Sequence, residues 1–179
     1  AKFEMGKKTI AVSTLEGGSV EIKDCENSFI ELSIGSTVTV IATPDENYNF
    51  IGWFVGDENT PISTNATYTF RAVESVELTA KFEKAKKTVS ISTSNGGSAT
   101  IKDCAGSSAQ FTVGEEVTVE ATPNEGYIFI GWFADRLAET AISTDATYTF
   151  VIEDNTTLMA KFEMGKKGIS VSASEGGSA

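Results

Sequence analysis

Two cysteines and no histidine limit the chemistry open to this chain. Without an imidazole there is no histidine general base, no His-ligated metal and no histidine pH switch. Cys25 and Cys104 each close an Ile-Lys-Asp-Cys string. A thiolate nucleophile wants a positive neighbour. Lys23 and Lys102 lie two residues away, on the same side of a strand if that strand continues. A disulfide needs two cysteines held close together, and one cysteine at the same point of two similar segments does not meet that. Half-buried free thiols are the expectation for both. No catalytic residue, cofactor or metal is assigned.

Other side chains offer weaker chemistry. The acidic turns Asp45-Glu46-Asn47, Gly56-Asp57-Glu58-Asn59 and Glu153-Asp154-Asn155 hold oxygen donors, but none has the ordered spacing of a calcium loop. Solvated turns are the default reading. Lys81 and Lys161 raise the question of Lys–Asn cross-links, yet no repeated asparagine reads as buried beside them. Asn65-Ala66-Thr67 and Asn155-Thr156-Thr157 fit a glycosylation sequon, read as chance matches on exposed turns. Trp53 and Trp132 would form a sugar-stacking platform if exposed; in a repeated aromatic strand, core is the expected role.

The elements that carry these residues occur twice. Ala1-Lys2-Phe3-Glu4 returns as Ala80-Lys81-Phe82-Glu83 and as Ala160-Lys161-Phe162-Glu163. Gly17-Gly18 returns as Gly96-Gly97 and Gly176-Gly177. Such repetition decides architecture before any local pattern does. It divides the chain into residues 1–6, the closing strand of a preceding repeat; 7–83, module 1; 84–163, module 2; and 164–179, the first strand and turn of a truncated third repeat. The chain reads as a piece of a longer array. Only Lys84 to Lys87 separate the motif Ala80–Glu83 from the next strand, so at most ~14 Å of extended chain joins the modules. A semi-rigid rod is the expected form.

Each module reads as strands throughout. Lys8–Thr14 and Ser19–Lys23 alternate polar and apolar residues around Leu15-Glu16-Gly17-Gly18, a β-hairpin signature. Ser28–Ile34 is short and extended. Thr37–Pro44 and Glu116–Pro123 are rich in β-branched residues and end at proline. The aromatic strand, Tyr48–Val55 or Tyr127–Ala134, carries the signature Tyr48, Phe50, Gly52, Trp53 and Tyr127, Phe129, Gly131, Trp132. Strand alternation places Tyr48, Phe50, Gly52 and Phe54 on one face and Ile51, Trp53 and Val55 on the other. Both faces are apolar, which predicts a central strand with glycine where a neighbour crosses close. Arg136–Thr140 could form one helical turn. The fold class is all-β: tandem, small β-sandwich-like modules of six to seven strands each.

The net charge is −11, which argues against nucleic acid. No apolar run reaches the ~20 residues of a membrane-spanning helix, so no membrane contact is expected within the segment. Lysines cluster after each Ala-Lys-Phe-Glu motif, where they could face acidic loops of the next module.

The run Gly114 to Trp132, Gly-x-x-Val-Thr-Val-x-Ala-Thr-Pro-Asn-Glu-Gly-Tyr-x-Phe-x-Gly-Trp, closes on Thr157-Leu-Met-Ala-Lys-Phe-Glu163. This resembles the divergent, all-β branch of the internalin B-type repeats of bacterial surface proteins. Module 1 keeps the pattern with Asn47 in place of the glycine. The resemblance implies an extracellular location on a bacterial cell and a role as stalk or adhesive segment, with no catalytic residues. Its better-known branch is β-grasp-like with a short helix, the alternative fold. The function expected is therefore a non-catalytic spacer, with neighbouring repeats of the same chain as partners. The alternative is a module that binds a host protein or glycan. Its site would lie in the loops Gly56–Thr64 and Ala134–Thr144, which differ in sequence and length.

Overall fold

A computed structural model describes residues 6–166. The chain divides into two compact units between Ala85 and Lys86. The expected closing strand at 1–6 and third repeat at 164–179 fall almost entirely outside the described residues.

Module 1 contains β1 (Lys7–Thr14), β2 (Gly18–Ile22), β3 (Phe29–Ser33), β4 (Thr37–Pro44), β5 (Tyr48–Val55), β6 (Thr67–Arg71) and β7 (Val76–Lys84). They form a four-stranded sheet, β3-β1-β7-β5, and a three-stranded sheet, β2-β4-β6. Module 2 repeats the plan with β8 (Lys86–Thr93), β9 (Gly97–Ile101), β10 (Ser108–Thr112), β11 (Glu116–Pro123), β12 (Tyr127–Phe133), β13 (Thr147–Val151) and β14 (Thr156–Met164). Its sheets are β10-β8-β14-β12 and β13-β11-β9. The described residues contain no helix, so the β-grasp-like alternative does not apply.

Period-two alternation builds the layers. In β4, Val38, Val40 and Ala42 point inward while Thr37, Thr39, Ile41 and Thr43 point out. In β7, Leu78 and Ala80 are buried and face Ile10, Val12, Ile22 and Trp53 in one core. That core is fed by both sheets, so each module is a two-layer sandwich. The second core repeats it around Val89, Ile101, Val119, Trp132 and Leu158.

Two expectations are corrected. The hairpin over Lys8–Lys23 does not form: β1 pairs with β3 and β7, whereas β2 pairs with β4 in the other sheet. Gly17 turns the chain from one layer to the other at φ +87, and a Cβ there would run into the Tyr48 ring. Its carbonyl accepts the Asp45 N–H at 2.9 Å, and Gly96 does the same for Asn124. Local pattern sees two alternating strands and a glycine turn; it does not see that each strand has a better partner elsewhere.

The aromatic strand is also not central. β5 and β12 lie at the sheet edge, paired only to β7 and β14. A bulge between Phe50 and Gly52, and between Phe129 and Gly131, shifts the alternation by one residue. Phe50 and Trp53 therefore share the core face, in edge contact at 5.8 Å. Phe54 falls on the opposite face with Gly52, and Ile51 is exposed.

The first and last strands of each module lie side by side and parallel. β1 pairs with β7 from Ile10↔Val76 to Thr14↔Ala80, and β8 with β14 from Val89↔Thr156 to Thr93↔Ala160. Only Ala85 stands between the end of β7 and the start of β8. Its N–H donates to Asn47 O at 2.7 Å, and Gly165 bonds Gly126 O in the same way at 2.8 Å. Asn47 adopts φ +63 and Gly126 φ +82, which accounts for asparagine replacing glycine: both residue types tolerate this backbone region.

Candidate functional site

Trp53 and Trp132 are fully buried, so neither offers a ring face to a sugar. Each indole N–H reaches a carbonyl of the segment before the next strand: Ala66 O at 3.3 Å and Asp145 O at 3.1 Å. Their backbones hold the loop that follows the aromatic strand. Trp53 N–H donates to Ser63 O and Ile62 N–H to Trp53 O, both at 2.8 Å. The same pair in module 2 measures 2.7 Å (Trp132 to Ser143) and 2.6 Å (Ile142 to Trp132). The loop thus covers an edge that would otherwise present unpaired backbone groups.

Gly52 and Gly131 make this contact possible. A Cβ at Gly52 would lie 2.6 Å from Pro61 Cβ and 2.9 Å from Ser63 O. At Gly131 it would lie 2.8 Å from Ser143 O and 2.9 Å from Ala141 Cβ. Tyr48 and Tyr127 roof the corner glycines Gly17 and Gly96, and Phe82 and Phe162 lie over Gly18 and Gly97. Phe129 packs edge-on against Trp132 at 5.7 Å. The signature residues form one packed aromatic array in each module.

Lys81 and Lys161 hold the middle of the loop. Lys81 Nζ sits 4.2 Å above the Phe54 ring and donates to Glu58 O at 3.4 Å. Lys161 Nζ sits 4.1 Å above Phe133 and donates to Ala138 O at 2.6 Å. Cation–π attraction and a charged hydrogen bond act together. Sequence reasoning missed this use of the lysine. Its signal is present in both copies: a lysine in the closing Ala-Lys-Phe-Glu and a phenylalanine directly after the Gly-Trp.

Within this shared frame the loop tips diverge. Module 1 carries Asp57, Glu58 and Asn59; module 2 carries Asp135, Arg136 and Leu137, the last 89% exposed. Arg136–Thr140 forms no helical turn. Asp135 Oδ1 instead accepts the N–H groups of Leu137 and Ala138 at 2.7 and 2.8 Å. In module 2 an open groove of about 580 Å³ runs past Ser94, Arg136, Met159 and Lys161. Module 1 has no arginine at the matching loop position.

Cys25 and Cys104 are half-buried free thiols. Cys25 Sγ lies 3.6 Å from Phe29 O, to which it donates. The strands before them end at Ile22 and Ile101, and Asp24 and Asp103 turn the chain at φ +60. The strand therefore does not continue to place Lys23 or Lys102 beside the thiol. Among the described residues no three acidic or thiol side chains converge as a metal site requires.

Two asparagines and two lysines have local roles. Asn155 Oδ1 accepts the Thr88 N–H at 2.8 Å, tying the start of β8 to the turn before β14. Lys87 Nζ binds Asp154 of its own module at 2.9 Å, and Lys7 pairs with Glu31 at 3.7 Å. Each of these two pairs lies within a single module. The Lys87 hydrogen bond and charge, with the Asn155 N–H, hold the Asp154 carboxyl below the usual aspartate range. Asn65 is exposed, and its N–H donates to Ser63 Oγ at 3.2 Å.

The repeated two-sheet sandwich, with its Gly-Trp edge strand and parallel terminal strands, defines a class of tandem structural module. The divergent InlB B-repeat domain matches residues 8–86 and again 87–166. The chain belongs to that family and is a repeat region of the kind found in surface proteins. No curated protein matches it. Among solved structures it is similar to GBS52, the minor pilin of Streptococcus agalactiae, at 9% identity and a TM-score of 0.28, over 92% of this chain and 99% of that one.

Proposed function

We propose that this region is a non-catalytic spacer in a protein of the bacterial cell surface, extending or presenting a functional head. The supporting observation is the parallel pairing of first and last strands. Module 1 takes the chain in at Lys7, below the Ile10↔Val76 pair, and releases it at Lys84, beyond Thr14↔Ala80. At roughly 3.3 Å per residue along the strands, entry and exit are about 35 Å apart. A module that receives the chain at one end and returns it at the other adds length with each copy. Had those strands been antiparallel neighbours, both ends would have emerged on one side.

The loops fit the same reading. Their frame is repeated and their tips are not, whereas a ligand site used by every repeat should recur. Small-angle scattering on the chain tests the proposal. The expected radius of gyration is well above about 16 Å, the value for one compact globule of this length. A measured value near that figure refutes the spacer.

The groove beside Arg136 favours one second reading, that module 2 alone binds a host protein or glycan. Binding to a glycan or host-protein array that is lost in Arg136→Ala would support it.

A further inference from the structure

We propose that each module is a tensile shear clamp, built to stay folded when the array is pulled from its ends. The proposal rests on the spacer reading in one respect: the load must arrive through the neighbouring repeats. Everything else follows from the strand order within each module.

Tension on the chain reaches module 1 at the start of β1 and at the end of β7. Those strands are parallel neighbours, joined over five registered residue pairs. The force therefore runs along both strands in opposite senses, and the ladder bonds between them are loaded together. If the two ends entered at the same side of the ladder, each bond would carry the whole load in turn and the pair would unzip. Parallel ladders have evenly spaced bonds, so the load is shared evenly.

The clamp also lies in the interior of its sheet, away from both edges. β1 and β7 are the two inner strands of their sheet, with β3 and β5 outside them; β8 and β14 are flanked likewise by β10 and β12. Side-chain bonds reinforce the ladder. Ser13 and Thr79 hydroxyls bond across it at 3.1 Å. At its mouth Thr9 N–H donates to Ser75 Oγ at 3.0 Å. The matching position in module 2 is Thr88 N–H to Asn155 Oδ1 at 2.8 Å, with Lys87–Asp154 beside it. Two different side chains serve the same backbone N–H, so the tie recurs although the residue changes.

The load path also explains where the modules are free to differ. Everything between Thr14 and Val76, including the divergent loop 56–64, lies outside the direct line from β1 to β7. Variation there leaves the clamp intact.

The test is single-molecule force spectroscopy on the chain, with Cys25→Ser and Cys104→Ser to free thiol chemistry for handles. Pulled from its two ends, each module is expected to yield in one step and release about 230 Å, from an extended length of ~3.4 Å per residue less the folded span. In the second geometry the handles sit at the N-terminus and at Glu74→Cys, both at the same end of the β1–β7 ladder. Five pairs then break one at a time, and the force for module 1 falls by up to roughly fivefold. The Glu74→Cys chain pulled end to end must keep the high force, which separates a geometric effect from a folding defect. Forced unfolding reports the unfolding rate, so both geometries are compared at one loading rate. Equal forces in the two geometries overturn the clamp. Equal forces on a chain whose scattering is extended overturn the clamp alone, while a compact chain overturns the spacer and leaves the force ratio to decide the clamp.

Discussion

Gly52→Ala puts the reasoning about the aromatic edge at greatest risk. The added methyl would sit 2.6 Å from Pro61 Cβ, where ordinary carbon contacts are about 3.5–4.0 Å. It would also sit 2.9 Å from the Ser63 carbonyl oxygen, a backbone atom with no rotamer to give way. The loop must withdraw by about 1 Å. The two bonds that tie it to Trp53, both at 2.8 Å, then stretch past hydrogen-bond range. Their loss costs about 1 kcal/mol each, and overpacking adds about 1–3 kcal/mol. The expected destabilisation of module 1 is about 3–5 kcal/mol, a large share of what a domain of this size possesses. Urea unfolding followed by tryptophan fluorescence measures it. With Trp132→Phe in both the reference and the test chain, Trp53 alone reports on module 1. At a slope near 1 kcal/mol per molar urea, the midpoint should fall by about 3 M or more. Asn59→Ala, at the exposed tip of the same loop, should leave it unchanged. A shift for Gly52→Ala below about 0.5 M would refute the account, because it would mean that the loop yields without losing its bonds.

The lysine clamp and the acidic tie give two more tests. Lys161→Met keeps the stem and removes the charge, so it should cost module 2 about 1–2 kcal/mol. Amide exchange at Ile142 should quicken as the loop loosens. Lys81→Met should cost less, because its bond to Glu58 O is longer than that of Lys161 to Ala138 O. Asp154 has a lowered carboxyl pKa, caused first by the Lys87 hydrogen bond. Its contribution to stability is present above the unfolded aspartate value of about 3.9 and is lost as pH falls through the lower folded value. Acid titration of module 2 should therefore show a component in that window that Asp154→Asn removes. The component should be small and screened by salt, since the carboxylate is exposed.

Much of the fold was legible because it rests on periodicity and repetition. The alternation in Thr37–Pro44 puts Val38, Val40 and Ala42 inside whatever their neighbours do. The proline stops and the glycine turns likewise act locally. The aromatic strand was legible as a strand but not as an edge. Its position depends on which strands claim β7, and one bulge residue reverses the faces assigned to every side chain after Phe50. The candidate site was less legible still. Lys81 meets Phe54 only through the ladder pairing of β5 with β7, and meets Glu58 only after the loop folds back over that edge. Nothing in the spacing of Lys81, Phe54 and Glu58 along the chain encodes that meeting.

By itself the sequence determined three things about this protein. It is modular, its modules are all-β, and it lacks the imidazole that most acid–base and metal chemistry would use. These follow from residue types, from alternation within single strands and from the recurrence of short motifs along the chain. Only the tertiary structure decided that the apparent hairpin Lys8–Lys23 opens into two sheets, and that the first strand of each module lies parallel to its last. A parallel pair joins residues about 66 positions apart in the chain. Its stability comes from burying Ile10, Val12, Leu78 and Ala80 in one core. That is a cooperative gain spread over the whole module, and no local window contains it.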